Sequence, residues 1–348
     1  MAIAPKRLYR PQFLGELGLA GDVILVTGAT GFVGSAVARA ALARGMRVRV
    51  LLRKTSDRSN LAGLNVEECV GDLTDPASLV RAVDGCDLVA HVAADYRIWV
   101  PNPESMLAAN VEGTRMLMLA AQDAGVRRIV YCSSVAALGL TPDGSPATEE
   151  TPVSEDKIVG IYKKSKYRAE QAVLRLVRER RLHATIVNPA APVGPRDIKP
   201  TPTGRMIADA AAGKMPAYVE TGLNVVHVDD VAEGHFLALE HGRPGERYIL
   251  GSENLHLFEL LQLVDSVTGR KQRRVPLPRA SLYPVALVCE ALARFGIEPL
   301  VTRDHLRMAA KTMFFSHEKA ARELGFSPRP ARDAVADAVA WFRAHGMA

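Results

Sequence analysis

Tyr162 and Lys166 stand four apart in Tyr162-Lys163-Lys164-Ser165-Lys166, within a segment of helical periodicity, so their side chains share one face. An ammonium beside a phenol favours the phenolate and would lower a pKa that begins near ~10. A tyrosine so placed can exchange a proton with a hydroxyl or carbonyl oxygen at neutral pH. Taken alone, a tyrosine and a lysine at this spacing are common on helix surfaces. Ser133-Ser134 adds to the pair: it closes the apolar run Ile129-Val130-Tyr131-Cys132, which reads as a strand. A hydroxyl at the carboxyl end of a strand can bond the same substrate oxygen, although a serine there can also merely cap a loop.

The second chemical feature is Gly28-Ala29-Thr30-Gly31-Phe32-Val33-Gly34, set between Val23-Ile24-Leu25-Val26 and an amphipathic stretch opening at Phe32. A strand that turns on glycine into a helix leaves unpaired N–H groups and a positive helix end at one place, which suits a pyrophosphate. The spacing is G-x-x-G-x-x-G rather than the usual G-x-G-x-x-G.

Elements that would position these groups alternate regularly. Strand signals fall at 23–26, 47–52, 66–70, 87–93, 128–132 and 183–187, and helical patterns at 32–44, 76–83, 104–124 and 155–180. Such alternation predicts a doubly wound α/β fold, parallel strands with helices on both faces and ligands at the carboxyl ends of the strands. Prolines 189, 192, 195, 200 and 202 then force a loop. Helical stretches at 203–212, 229–241, 257–268, 282–295, 317–324 and 331–345 follow, with strands at 224–228 and 247–250 expected to return to the main sheet. The organisation expected is an extension over 1–20 and a Rossmann-type cofactor domain over 21–190 that 224–251 rejoins. A smaller, mostly helical substrate lobe would comprise 191–223 and 252–348.

A chain of 348 residues, 48% of them hydrophobic, can bury a large core. The net charge of +6 invites a nucleic-acid reading, but the basic clusters at 178–181 and 270–274 are short and lack interleaved aromatics, so solvated faces are expected and no nucleic acid. The 270–274 cluster precedes the apolar 282–295 segment, which could lie on a membrane surface, though Glu290 and Arg294 interrupt it and a buried helix is the better reading. No apolar stretch reaches the ~18 residues of a membrane span and no signal-peptide pattern opens the chain. Cys69, Cys86, Cys132 and Cys289 show no metal-ligand spacing, so a cytoplasmic setting and no metal are expected. A homodimer and weak peripheral membrane contact are further expectations.

The glycine loop, Asp72 in Gly71-Asp72-Leu73, Ala93-Ala94, Asn110, Ser134, Tyr162 with Lys166, and Asn188-Pro189 occur in the order of the extended short-chain dehydrogenase/reductases, the NAD-dependent epimerase/dehydratase family, which the chain resembles from residue 22 to about 345. Long segments at 94–99, 194–205, 226–235 and 311–316 resemble the hopanoid-associated sugar epimerase branch, itself similar to dihydroflavonol 4-reductases. The resemblance implies that Gly28, Thr30, Gly31, Phe32 and Val33 cradle the pyrophosphate, and that Asp72 and Leu73 hold the adenine. Ala93, Ala94, Ser133 and the stretch Pro189, Ala190, Pro192, Val193 would line the cofactor. Tyr162 becomes the general acid/base, Lys166 its partner and ribose ligand, Ser134 the orienting hydroxyl and Asn110 a support. Two departures favour reductases over sugar epimerases: Lys163 replaces the glycine usual after the tyrosine, and Leu138 the tyrosine of a V-Y-G motif.

At the end of the second strand, where an NAD enzyme places Asp or Glu, stand Arg53 and Lys54, with no carboxylate before Asp57. These cations suit a 2′-phosphate, so NADP is the expected cofactor. Tyr96, Trp99, Arg196, Lys199 and Arg205 are candidate substrate contacts for an anionic or sugar-like molecule, although Arg196 and Asp197 could simply form a loop ion pair. An NADP(H)-dependent carbonyl reductase acting on a sugar, polyol or hopanoid-linked substrate leads. An epimerase or dehydratase with bound cofactor comes second, and a catalytically silent NADP-sensing protein third.

Overall fold

The computed structural model describes residues 19–96, 102–293 and 302–348. Strands β1 (Val23–Thr27), β2 (Arg47–Leu52), β3 (Val66–Val70), β4 (Leu88–His91), β5 (Arg128–Cys132) and β6 (Ala184–Pro189) alternate with α1 (Phe32–Ala43), α2 (Pro76–Val83), α3 (Pro103–Leu107), α4 (Gly113–Asp123) and α5 (Ile161–Arg180). The chain continues through β7 (Ala191–Val193), α6 (Pro202–Ala211), β8 (Ala217–Tyr218), β9 (Gly222–His227), α7 (Val228–His241), β10 (Arg247–Leu250) and β11 (Glu253–His256). It ends with α8 (Leu257–Thr268), β12 (Val275–Pro276), α9 (Arg279–Ala293), α10 (Arg303–Ala309), α11 (Glu318–Leu324) and α12 (Ala331–Ala344).

Seven strands form one parallel sheet in the order β10-β6-β5-β4-β1-β2-β3. β1 and β4 are buried along their whole length, as the central strands of a sheet covered on both faces must be. β3, at one edge, carries exposed Glu67 and Glu68, which blunt that edge. Strand order reverses between β1 and β4, so the crevice for a ligand opens at their carboxyl ends. α1 and α7 cover one face with Val37 and Phe236 in the core. The other face packs Leu79 of α2, Leu117 and Met118 of α4, and Val173 of α5. A third core joins α6, α8 and α12 through Ile207, Leu260, Leu261 and Phe342.

Three expectations need correction. The strand expected at 224–228 does not rejoin the main sheet: β9 lies in a separate sheet of order β11-β9-β7. Only Ala190 separates β6 from β7, and β7 leaves the main sheet with β9 as its partner; Pro192 is tolerated because β7 is an edge. The helix expected over 104–124 is broken by a π-helical turn at Ala108–Glu112. The helix expected from 155 begins at Ile161, after Gly160 at φ +89°. The expected extension lies almost wholly outside the described residues, as do Trp99 and the end of the 282–295 helix.

Candidate active site

The glycine loop is built around Gly28, whose φ of +72° sets the turn and whose missing Cβ would stand 2.8 Å from the Ala93 backbone. A Cβ on Gly34 would fall 2.1 Å from the Gly28 carbonyl, so the helix can pack on the strand only with glycine there. α1 follows with no acidic residue in its first turn and no side-chain cap at Gly31, leaving its positive end open to an anion. Thr30 and Gly31 are tied from behind by Asn60, whose Nδ2 donates to both carbonyls at 3.3 and 3.4 Å.

A cleft of about 380 Å³ past the carboxyl ends of β2 and β3 is lined by Arg53, Lys54, Asp72, Asp75 and Arg81. Arg53 and Lys54 are exposed, and no carboxylate pairs with either among the described residues. Asp72 Oδ1 accepts from the Thr74 N–H and hydroxyl at 2.9 and 2.7 Å, and these bonds, with Arg53 nearby, hold its pKa down. Leu73 borders the same end, its Cβ 2.8 Å from where a Cβ on Gly113 would fall. The positive helix end and the close approach at Gly28 fit the pyrophosphate of a dinucleotide.

At the chemical end, Tyr162 and Ser134 are brought together by the first turn of α5 and the turn after β5. The Ser134 hydroxyl lies close enough to act on the phenol, and its Oγ accepts from the Ala136 N–H at 3.1 Å. Burial pushes the Tyr162 phenol up to about 12, with the Ser134 hydroxyl opposing. The expectation that Lys166 lowers this pKa is therefore corrected. Lys166 is on the same face but its Nζ donates to the Cys132 carbonyl at 2.8 Å and lies 5.5 Å over the Tyr131 ring. That bond orients the ammonium without neutralising it, and burial lowers its own pKa.

Behind these groups lies Glu170, one turn past Lys166, with a side chain of zero exposure. Its Oε2 accepts from Ser133 Oγ at 2.6 Å and from Asn188 Nδ2 at 2.8 Å, while Arg247 Nη1 stands 3.6 Å from Oε1. Asn188 also donates to the Ser134 carbonyl at 3.0 Å, so the carboxylate fixes the serine turn from behind. Ser133, expected at the cofactor, turns its hydroxyl into this network.

Asn110 sits in the π turn, where its Oδ1 accepts from the Asp95 N–H at 2.7 Å and its Nδ2 donates to Asp95 O and Ser165 Oγ at 2.8 and 2.9 Å. Thr27 Oγ1 accepts two backbone N–H groups, from Val92 and Ala93, and so gives its proton to His91 Nδ1. His91 Nε2 then donates to Thr114 Oγ1, whose hydroxyl donates to the Asn110 carbonyl. Burial pushes His91 down to about 3, keeping it neutral in this chain. His91, Thr27, Thr114 and Glu170 carry no motif; the one available signal was Glu170 at i+4 from Lys166.

The expected substrate contacts do not converge. Arg196, at φ +77°, pairs with Asp229 rather than Asp197, and its carbonyl accepts from Asn60 behind the glycine loop. Asp197 instead accepts from the Thr201 N–H and hydroxyl at the start of α6. Lys199 is exposed, and the charge it influences is Asp57 on the turn after β2. Among the described residues, Tyr96 and Arg205 both lie near Asp197, whose charge helps raise the Tyr96 phenol while Arg205 opposes the burial that raises Asp197. Of the stretch after β6, Pro189 ends the strand beside β10, the Ala190 N–H donates to Leu250 O at 3.0 Å, and Pro192 and Val193 lie in β7 against β9. Ala94 follows Ala93 out of β4 towards Asp95.

With this geometry in place, the similarities decide the family. Residues 24–251 match the NAD dependent epimerase/dehydratase family. The chain belongs to that family. A Synechocystis sp. protein named as dihydroflavonol 4-reductase-like is 43% identical, the match covering 93% of this chain and 96% of the relative. Sterol demethylase protein B of Methylococcus capsulatus is 39% identical over 93% and 99% of the two chains. The crystal structure of gox2253 superposes with a TM-score of 0.85 at 67% identity, covering 94% of this chain and 99% of that one. The protein is an enzyme of the oxidoreductase, epimerase and dehydratase type that uses a nicotinamide cofactor.

Proposed function

We propose that this enzyme is an NADP(H)-dependent reductase of a carbonyl, or dehydrogenase of the matching alcohol, on a sugar- or polyol-like substrate of hopanoid side-chain assembly. The observation that carries the cofactor choice is the end of β2, where Arg53 and Lys54 line the cleft with Asp72 and no carboxylate takes the place that would accept from a 2′-hydroxyl. Gly28, Thr30, Gly31, Phe32 and Val33 would hold the pyrophosphate at the start of α1. Nicotinamide, when bound, supplies or takes the hydride.

The protein's own part is the proton. With its pKa at about 12, Tyr162 is protonated at neutral pH and stands ready to donate to a carbonyl oxygen, the reductive direction. Ser134, beside that phenol, orients the same oxygen. Lys163 after the catalytic tyrosine and Leu138 in the neighbouring turn support reduction over epimerisation, as do relatives named as reductases. Calorimetric titration tests the reading: NADPH should bind at least tenfold tighter than NADH and leave on dialysis. Protein that purifies with held oxidised dinucleotide and interconverts two sugars without added cofactor would establish the epimerase instead.

A lipid-linked substrate gives the exposed apolar side chains of α9 a role. Tyr283, Val285, Leu287 and Val288 are all exposed on this helix, and Arg270, Lys271 and Arg273 precede it. No helix among the described residues is long and apolar enough to cross a membrane. We assign this surface to weak contact with an anionic bilayer. Sedimentation with phosphatidylglycerol vesicles should carry the protein down, and L287E/V288E should abolish it; recovery in the supernatant with those vesicles would end the assignment.

A further inference from the structure

The seam between the first turn of α5 and the segment 311–316 holds a cation with no carboxylate paired to it among the described residues. Lys163 follows Tyr162 directly, and its Nζ meets the Met313 thioether at 3.6 Å. Met313 is itself fixed: its N–H donates to the Gly222 carbonyl at 2.9 Å, and its carbonyl accepts from the Asn224 N–H at 3.1 Å. The Met313 side chain also packs against the cluster of Leu138 and Phe315, beside the turn that Ser134 caps. Lys163 thus stands where the proton donor, the serine turn and the substrate lobe meet.

A thioether is a weak acceptor, and an ammonium withdrawn from water needs an anion to offset its lost hydration. Among the described residues, no carboxylate pairs with Lys163 or Lys311, and the charge that acts on Lys163 is the second ammonium, Lys311. Lys311 is exposed and keeps its hydration, so the charge left unmet is that of half-buried Lys163. Burial first, then Lys311, brings Lys163 down to about 8, so it stays charged at neutral pH and discharges just above it.

We propose that Lys163 forms a subsite for an anionic oxygen group, carboxylate or phosphoryl, that the substrate carries near the carbonyl served by Tyr162. The position of that carbonyl rests on the reductase reading; the anion subsite does not. Two pairs of probes separate the two chemistries: acetoacetate against methyl acetoacetate, and dihydroxyacetone phosphate against dihydroxyacetone. In at least one pair, kcat/KM for NADPH oxidation should favour the charged member by about ten- to hundredfold at pH 7. That preference should fall as pH rises from 7 to 9.5.

K163M should bring the ratio close to one. K163R should keep it, and keep it at pH 9.5, because a guanidinium does not discharge there. Calorimetry of acetoacetate and dihydroxyacetone phosphate into the NADP⁺-loaded protein reads the subsite without turnover. Binding lost in K163M and kept in K163R supports the subsite even where no carbonyl is reduced, an outcome that would sink the reductase reading alone. Equal use of both members of each pair, no anion binding by the unmodified protein, or a K163M ratio equal to the parent's would overturn the subsite.

Discussion

Lys166 and Arg53 are both cations at the carboxyl edge of one sheet, yet their surroundings are opposite. Lys166 is 4% exposed, donates to Cys132 O and lies one turn from fully buried Glu170, which in turn holds Ser133 and Asn188. Arg53 is exposed; its backbone bonds Ser56, and its guanidinium makes no hydrogen bond among the described residues. The first arrangement is fixed by many mutual bonds, so removing any member strands the others away from water. The second has nothing to strand. A fold built this way can keep its proton-transfer machinery while the residues that select the dinucleotide change freely.

The largest effect should come from the buried end. Tyr162→Phe removes the proton donor and no phosphate contact, so kcat should fall roughly 10²–10⁴-fold while NADPH affinity stays near the parent's. Turnover at the parent rate would remove Tyr162 from the chemistry.

Glu170→Leu should follow. It leaves the Ser133 hydroxyl and an Asn188 amide proton without their acceptor, and each buried donor so stranded costs about 1–3 kcal/mol. A lower urea midpoint is expected, with Glu170→Gln milder because an amide oxygen still accepts. Burial already pushes this carboxyl towards its neutral form, which the glutamine resembles. A Leu variant as stable as the parent would mean that the network is not a structural unit.

How much of this contrast the sequence carries differs between the two ends. Arg53 and Lys54 are legible because a dinucleotide fold has a known place for a carboxylate, and its absence is a reading of residue types. The strands of the main sheet are legible too, since buried parallel strands appear as apolar runs such as Val23–Thr27. β7, three residues with a proline, offers no such run, and the π turn at Ala108–Glu112 has the same apolar spacing as the helices around it. The four-residue spacing of Tyr162 and Lys166 is legible, but the partner of Lys166 is a backbone carbonyl, which has no signature in residue types. The ion pair of Arg196 is not legible either: Asp229 lies 33 positions away and only the fold brings them together.

At the exposed end the effects should be smaller and confined to binding. Arg53→Asp should weaken NADPH by about 10–100-fold, the worth of a charge-assisted bond to phosphate of about 1.5–3 kcal/mol. NADH affinity, kcat and the urea midpoint should hardly move. A matching fall in stability would show that the turn after β2 is as tightly bonded as the catalytic floor and erase the contrast.

The smallest expected effect needs no mutation. Charges in water lose their mutual attraction as salt rises, because the screening distance shrinks from about 10 Å at 0.1 M to about 3 Å at 1 M, whereas buried groups are screened far less. Arg53 and Lys54 are on the wet side of this division, and Lys166 and Glu170 on the dry side. Raising sodium chloride from 0.1 to 0.5 M should therefore reduce the preference for NADPH over NADH by roughly threefold to tenfold. Single-turnover rates with saturating NADPH should stay constant, since the groups that hold the Tyr162 and Ser134 turns in place are buried. If the cofactor preference ignores salt, the 2′-phosphate must be read by a sheltered group and not by the β2 turn. If instead the single-turnover rate falls with salt, ions reach the floor of the site, and the difference in burial between the two ends does not govern their chemistry.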